Sequence, residues 1–99
     1  MQTTYLQRQI ALLLKFVAEY SSGERDFNEF YHNAKALILL VKENDNQNGD
    51  YLEDMLMNMD FSYATRKFRG NLDEEEFRRS QAEVVQEMQS YIAENFKFE

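Results

Sequence analysis

The chain contains no proline and only three glycines among 99 residues, and this scarcity of chain breakers limits its fold. A β-sandwich or barrel needs turn residues about every ten positions, and proline and glycine supply many of them. Long helices joined by short connections need few. The sequence therefore predicts an all-α protein, and its length predicts a single domain over residues 1–99.

Apolar residues in the first half recur every three or four positions, which is the period of an amphipathic helix. The first stripe predicts a helix over about 4–22, which Gly23 ends. Asp26 with Glu29 three residues later has the spacing of a capping box, so a second helix should begin there. This second helix includes the apolar run at 36–41 and should be the most buried.

The second half predicts two more helices separated by an irregular segment. Residues 44–50 are rich in Asn and Asp, which favours a polar loop. A third helix should span about 50–60, and residues 61–72 show no steady period. Asp73 should cap a fourth helix of about 22 residues. Four helices with short loops predict an antiparallel four-helix bundle.

Charge is distributed unevenly along this acidic chain, whose net charge is −7. Six acids and no base fall within residues 43–60, and like charges this close repel one another. Such a patch favours a basic partner through electrostatic steering, although a merely solvated face has the same composition. The acids are Glu43, Asp45, Asp50, Glu53, Asp54 and Asp60.

Cysteine and histidine, two residue types that often carry catalysis, are scarce in this chain. The chain has no cysteine and one histidine, His32, which lies beside an apolar stripe and is interpreted as a boundary residue. Four of the acids, at 45, 50, 53 and 54, lack the alternating pattern of a calcium loop. We therefore expect a protein that is not an enzyme and that has no cofactor and no metal.

The composition also indicates where the protein is located in the cell and whether it binds nucleic acid or lipid. The apolar run at 10–14 is short, basic residues flank it, and no stretch reaches the length of a membrane span. The acidic balance disfavours direct binding to nucleic acid or anionic lipid, because phosphate binding needs clustered cations. We expect a cytoplasmic protein with no membrane contact.

Two tyrosines and three cations border the acidic patch. Tyr51 and Tyr63 are candidate interface anchors, although tyrosines at the rim of a core look the same in a sequence. Arg66, Lys67 and Arg69 precede the acids at 73–76, and we expect them to be counterions of those acids. For Arg66, a partner contact stays open as an alternative.

Two stretches of this chain resemble the colicin D-type immunity proteins of bacteria, a family that includes contact-dependent growth inhibition immunity proteins. The first is LLLKFVAEYSSGERDFNEFYHNAKAL, residues 12–37. The second is YLEDMLMNMDFSYATRKFRGNLDEEEFRRSQAEVV, residues 51–85. Within the second stretch the resemblance rests on Asp60, Tyr63, Arg66 and the acidic start of the last helix.

The resemblance implies an antitoxin that covers the active site of a cognate basic nuclease toxin, in this branch a tRNA-cleaving ribonuclease. It implies a protein heterodimer, and we expect a monomer otherwise. It carries over Asp60, Tyr63 and Arg66 as partner-binding residues. Charge and position add the remaining candidates, which are Asp50, Tyr51, Glu53 and Asp54.

Two other classes of function fit the same composition. One is an acidic nucleic-acid mimic or regulatory adaptor that inhibits a host or phage nucleic-acid-binding protein. The other is a helical structural protein that self-associates through exposed Met and Phe residues. Gene neighbourhood distinguishes the first from an antitoxin, and the mass in solution tests the second.

Overall fold

The structure is a computed structural model that describes residues 4–96, and this part of the chain forms five α-helices without a strand. The predicted all-α fold is confirmed. The helices are α1 (Thr4–Ser21), α2 (Phe27–Asn44), α3 (Asn46–Arg69), α4 (Glu74–Ser80) and α5 (Ala82–Asn95).

The first two helices follow the predicted apolar stripes. The residues that α1 buries recur every three or four positions from Leu6 to Tyr20. Gly23 follows α1 with a φ of 87°, a left-handed conformation that glycine adopts without a steric cost. Asp26 caps α2 as predicted, because its carboxylate accepts a hydrogen bond of 2.9 Å from the backbone N–H of Glu29.

The prediction of a polar loop at 44–50 is wrong. A single residue, Asp45, separates α2 from α3, and its carboxylate accepts a hydrogen bond from the backbone N–H of Asn48. The same residue types that form turns also cap helices, and here they begin α3 at once. Gly49 consequently lies inside α3, where it is buried against Lys42 of α2.

The predicted third helix is also too short, since α3 continues through the segment that showed no steady period. It ends at Gly70, whose φ is 75°. The backbone N–H of Gly70 bonds the carbonyl of Lys67, and that of Asn71 bonds the carbonyl of Arg66, which is the Schellman arrangement at a helix end. The period was hidden because Phe61 and Phe68 point outward.

The predicted fourth helix is divided at Gln81 into α4 and α5. Asp73 caps α4 as predicted, with a hydrogen bond of 3.0 Å from the N–H of Glu76. The hydroxyl of Ser80 donates to the carbonyl of Phe77 at 2.6 Å and so competes with the helix backbone. At Gln81 the backbone leaves helical geometry, with φ −96° and ψ 4°, before α5 begins.

The helices enclose one continuous core. α1 packs between α2 and α5, while α3 packs against α2 and α5, so the described helices form an all-α bundle. The antiparallel four-helix arrangement stays a prediction. At one end the ring of Phe27 on α2 contacts aromatic rings from α1, α3 and α4 as well as from its own helix. Its aromatic neighbours are Tyr20, Phe30, Tyr31, Tyr63 and Phe77.

Gly49 allows α2 and α3 to approach closely. Replacing a helical glycine by alanine ordinarily stabilises a protein, but we expect Gly49→Ala to destabilise this one. A Cβ atom there would lie 2.4 Å from Cγ and 2.7 Å from Cα of Lys42, so the helices would have to separate. We expect the free energy of unfolding in urea to fall by about 1–3 kcal/mol, as for an overpacked core.

The matched control is Ala36→Gly at an exposed position of α2. That change should show the ordinary preference for alanine in a helix, about 0.5–1 kcal/mol. If Gly49→Ala instead stabilises the protein by a similar amount, the close approach of the two helices is wrong.

Candidate interaction surface

The outer face of α3 combines acidic and large apolar side chains. Asp50 and Asp54 are exposed in its first half. Three apolar side chains continue the same face toward the C-terminus, and they expose unusually large fractions of their surface for their type. These are Met57 at 52%, Phe61 at 75% and Phe68 at 93%.

Lys42 neutralises part of the acidic patch from the neighbouring helix. Its Nζ atom lies 2.9 Å from a carboxylate oxygen of Asp50 and 2.9 Å from one of Glu53. Hydrogen bonding to Asp50, and next to Glu53, raises the pKa of Lys42. The patch therefore carries less uncompensated charge than its sequence indicates.

Other acids of the patch keep their charge uncompensated. In the part of the chain that the structure describes, Glu43, Asp54 and Asp60 form no ion pair. Asp54 is fully on the exposed face, whereas Asp60 is half-buried on its flank. Asp45 is occupied as the cap of α3. Asp54 is thus the carboxylate of α3 that is most available to a basic partner.

Tyr51 lies on the opposite flank of α3 and packs against α5. Its ring stacks on the ring of Tyr91, with 4.1 Å between centroids and 17° between planes. The hydroxyl of Tyr91 donates to the side-chain oxygen of Asn48 at 2.5 Å, which joins α5 to the first turn of α3. Tyr51 therefore helps to hold α3 on α5 and still exposes 43% of its surface.

Tyr63 is buried in the aromatic cluster rather than placed on the outer face. Its ring stacks on Phe27 at 4.6 Å between centroids, and its hydroxyl donates to the carboxylate of Glu74. Burial, followed by the bond to Glu74, raises the pKa of Tyr63 to about 12. The structure gives this tyrosine a role in joining α2, α3 and α4.

The cations at the end of α3 are not counterions of the acids that follow them. Among the described residues, no ion pair joins Arg66, Lys67 or Arg69 to the acids at 73–76. Arg66 instead lies over the ring of Phe77, 5.2 Å from its centroid. All three occupy the last turn of α3, where cations interact favourably with the helix dipole.

The seven predicted partner-binding residues therefore lie on different sides of α3 instead of sharing one face. Asp50 and Asp54 face outward. Glu53 and Asp60 lie on one flank and Tyr51 on the other, while Tyr63 and Arg66 contact the aromatic cluster. Partner binding by these residues stays a prediction. Met57, Phe61 and Phe68 were not among these candidates for partner binding, but their three-to-four spacing marks them as one face once α3 is known to continue to Arg69.

The single histidine and the acidic residues bear on whether a catalytic or metal site exists within residues 4–96. His32 is exposed and contacts the ring of Tyr31 edge-on. Within residues 4–96, no group of three or more His, Asp and Glu residues is arranged to hold a metal ion. No helix in the same range has the length and apolar character that crossing a membrane requires.

Comparison with protein families, curated proteins and solved structures found no match to this chain. The surface of α3 and the sequence resemblance are therefore the features that bear on function.

The pKa of Tyr63 predicts how Tyr63→Phe changes stability with pH. At neutral pH the free energy of unfolding of the variant should be about 1 kcal/mol lower, because the hydrogen bond to Glu74 is lost. In the unfolded chain tyrosine ionises near pH 10, but in the folded protein Tyr63 keeps its proton to about pH 12. The wild type therefore loses stability as pH rises from 10 to 12, by up to about 2 kcal/mol from this residue.

Urea unfolding at neutral pH and in steps between pH 9 and about 12 measures both effects. Tyr63→Phe should lose less stability than the wild type across the alkaline range. Tyr5→Phe, which alters an exposed ring, is the control and should follow the wild type. Equal alkaline losses in all three proteins would contradict the buried, bonded position of Tyr63.

Proposed function

We propose that this chain is an immunity protein that binds and neutralises a basic nuclease toxin domain and has no catalytic activity of its own. The observation that carries the proposal is the outer face of α3, where the unpaired carboxylate of Asp54 adjoins exposed apolar side chains. The resemblance in residues 51–85 supports the same class of function.

Charge explains why a nuclease suits this surface. A ribonuclease that holds an RNA backbone needs clustered cations in its active site. Carboxylates presented at the positions of the phosphates attract those cations and exclude the substrate. On this proposal the protein acts in the cytoplasm of the producing cell, and a tRNA-cleaving ribonuclease is the toxin that the resemblance favours.

The apolar neighbours of Asp54 explain how such a complex would gain affinity. Steering by charge raises the rate of association, but buried apolar and aromatic side chains supply most of the binding energy at interfaces. Met57 and Phe61 are close to Asp54 along the helix and are largely exposed. Such side chains would contribute little to a pure charge mimic of nucleic acid, which supports an antitoxin over that alternative.

Co-expression tests the proposal directly. A toxin gene encoded beside this one should kill a host strain when expressed alone, and simultaneous expression of this chain should restore growth. Equal killing with and without the chain contradicts the proposal. A neighbouring phage operon, with no toxin gene, favours the nucleic-acid-mimicking inhibitor.

Charge reversal of Asp54 tests which surface binds. Asp54→Lys should weaken binding to the toxin domain by at least tenfold, mainly through slower association, and the wild-type rate should fall as salt rises. The control, Glu87→Lys, makes the same charge change at an exposed position of α5. Surface plasmon resonance measures both rates. Equal affinities for the two variants would place the interface away from α3.

A further inference from the structure

The apolar side chains on the outer face of α3 have the spacing of a helix-pairing seam. Met57, Phe61, Ala64 and Phe68 are separated by four, three and four residues, and all are exposed. Alternating steps of three and four are the heptad spacing by which one helix packs against another. We call these four residues the α3 seam. An exposed seam of this kind on a bundle helix lacks the helix that would normally cover it.

Two opposite charges border the seam on the same side. Asp60 and Lys67 are one heptad apart, each directly before a seam phenylalanine. Within residues 4–96 neither forms an ion pair with its own chain. Charges at such flanking positions determine the partner and the orientation of paired helices.

If a second copy of α3 packs antiparallel on the first, large seam side chains can face small ones and each flanking charge can face an opposite charge. In one register, Phe61 faces the small Ala64 of the second copy and Met57 faces its Phe68, and symmetry repeats both contacts. The same register brings Asp60 opposite Lys67 of the second copy, twice. A parallel pairing would instead align the exposed Asp54 residues of both copies and would give Asp60 no opposite charge.

The exposed side chains of the α3 seam supply a large part of the area that a specific contact buries. A buried aromatic side chain removes roughly 150–250 Å² from water, so the four largely exposed phenylalanines of two copies supply on the order of 600 Å². Met57 and the flanking side chains add to this area, and specific interfaces begin at roughly 1,200 Å² in total. The paired segments overlap over about 15 residues, roughly 22 Å of helix.

We propose that the protein forms a symmetric dimer in which the α3 seams of two copies pack antiparallel. The inference does not rest on the proposed function. The seam overlaps the proposed toxin-binding face at Met57 and Phe61, so a second copy and a toxin would compete for α3. On this proposal the free protein is a dimer and not the monomer expected from the sequence.

Sedimentation equilibrium of the full chain, from micromolar to submillimolar concentration, tests the dimer. We expect a mass twice that of the 11.9 kDa chain for the wild type and a monomer for Phe61→Asp. Tyr5→Ser removes a comparably exposed ring from α1 and should stay dimeric. A monomeric wild type, a larger assembly or a dimeric Phe61→Asp overturns the proposal.

A charge exchange tests the antiparallel register, and it works even if Phe61→Asp does not fold. Asp60→Lys alone and Lys67→Asp alone should each weaken the dimer about tenfold, because two attractive pairs become repulsive. The double variant Asp60→Lys/Lys67→Asp has the net charge of the wild type and should regain its dimer affinity. A double variant as weak as the single ones overturns the register. Circular dichroism confirms that each variant is helical.

Discussion

The ring of Phe27 is the contact on which the rest of the fold depends. It touches Tyr20 of α1, Tyr63 of α3 and Phe77 of α4, so one side chain joins four helices when its own is included. Removing such a ring would leave a cavity shared by all of them. The position of Tyr63 follows from this cluster, because its ring stacks on Phe27 while its hydroxyl holds Glu74 at the start of α4.

The buried Tyr63 also determines what α3 exposes. A helix that turns Tyr63 toward the core must turn Phe61 and Phe68 away from it, since successive residues are about 100° apart around the axis. The outward apolar face is thus a consequence of the aromatic cluster and of the continuation of α3 to Arg69. Both the proposed toxin contact and the proposed dimer use this face.

Local patterns in the sequence were sufficient for α1 and α2, where each buried residue lies on a regular stripe and Asp26 marks a helix start. They were insufficient for α3. Its apolar residues face both inward and outward in the second half, and this mixture conceals the helical period. Two helix boundaries differ from the prediction for other reasons. The Asn and Asp residues near Asp45 cap and begin α3 instead of forming a loop, whereas Gln81 divides the last predicted helix without any turn signature.

The candidate site was predictable only in part, because pairing in space is not visible in local charge counts. Residues 43–60 contain no base, yet Lys42 reaches Asp50 and Glu53 from the preceding helix. Conversely, the sequence predicts that Arg66 is a counterion of the acids of α4 or a partner contact, and in the structure it lies over the ring of Phe77. Asp54 and Met57 lie within the helix that the sequence predicts over about 50–60, whereas Phe61 and Phe68 join the same face only because α3 continues to Arg69.

Both the toxin-binding face and the dimer seam require α3 to be one continuous helix through Arg69, and backbone NMR chemical shifts measure this most directly. We expect Cα shifts of residues 61–69 to lie in the helical range without interruption and then to change at Gly70, where the backbone becomes left-handed. Random-coil shifts that begin at Phe61 would contradict the account, because the α3 seam and the bonded position of Tyr63 would both be lost.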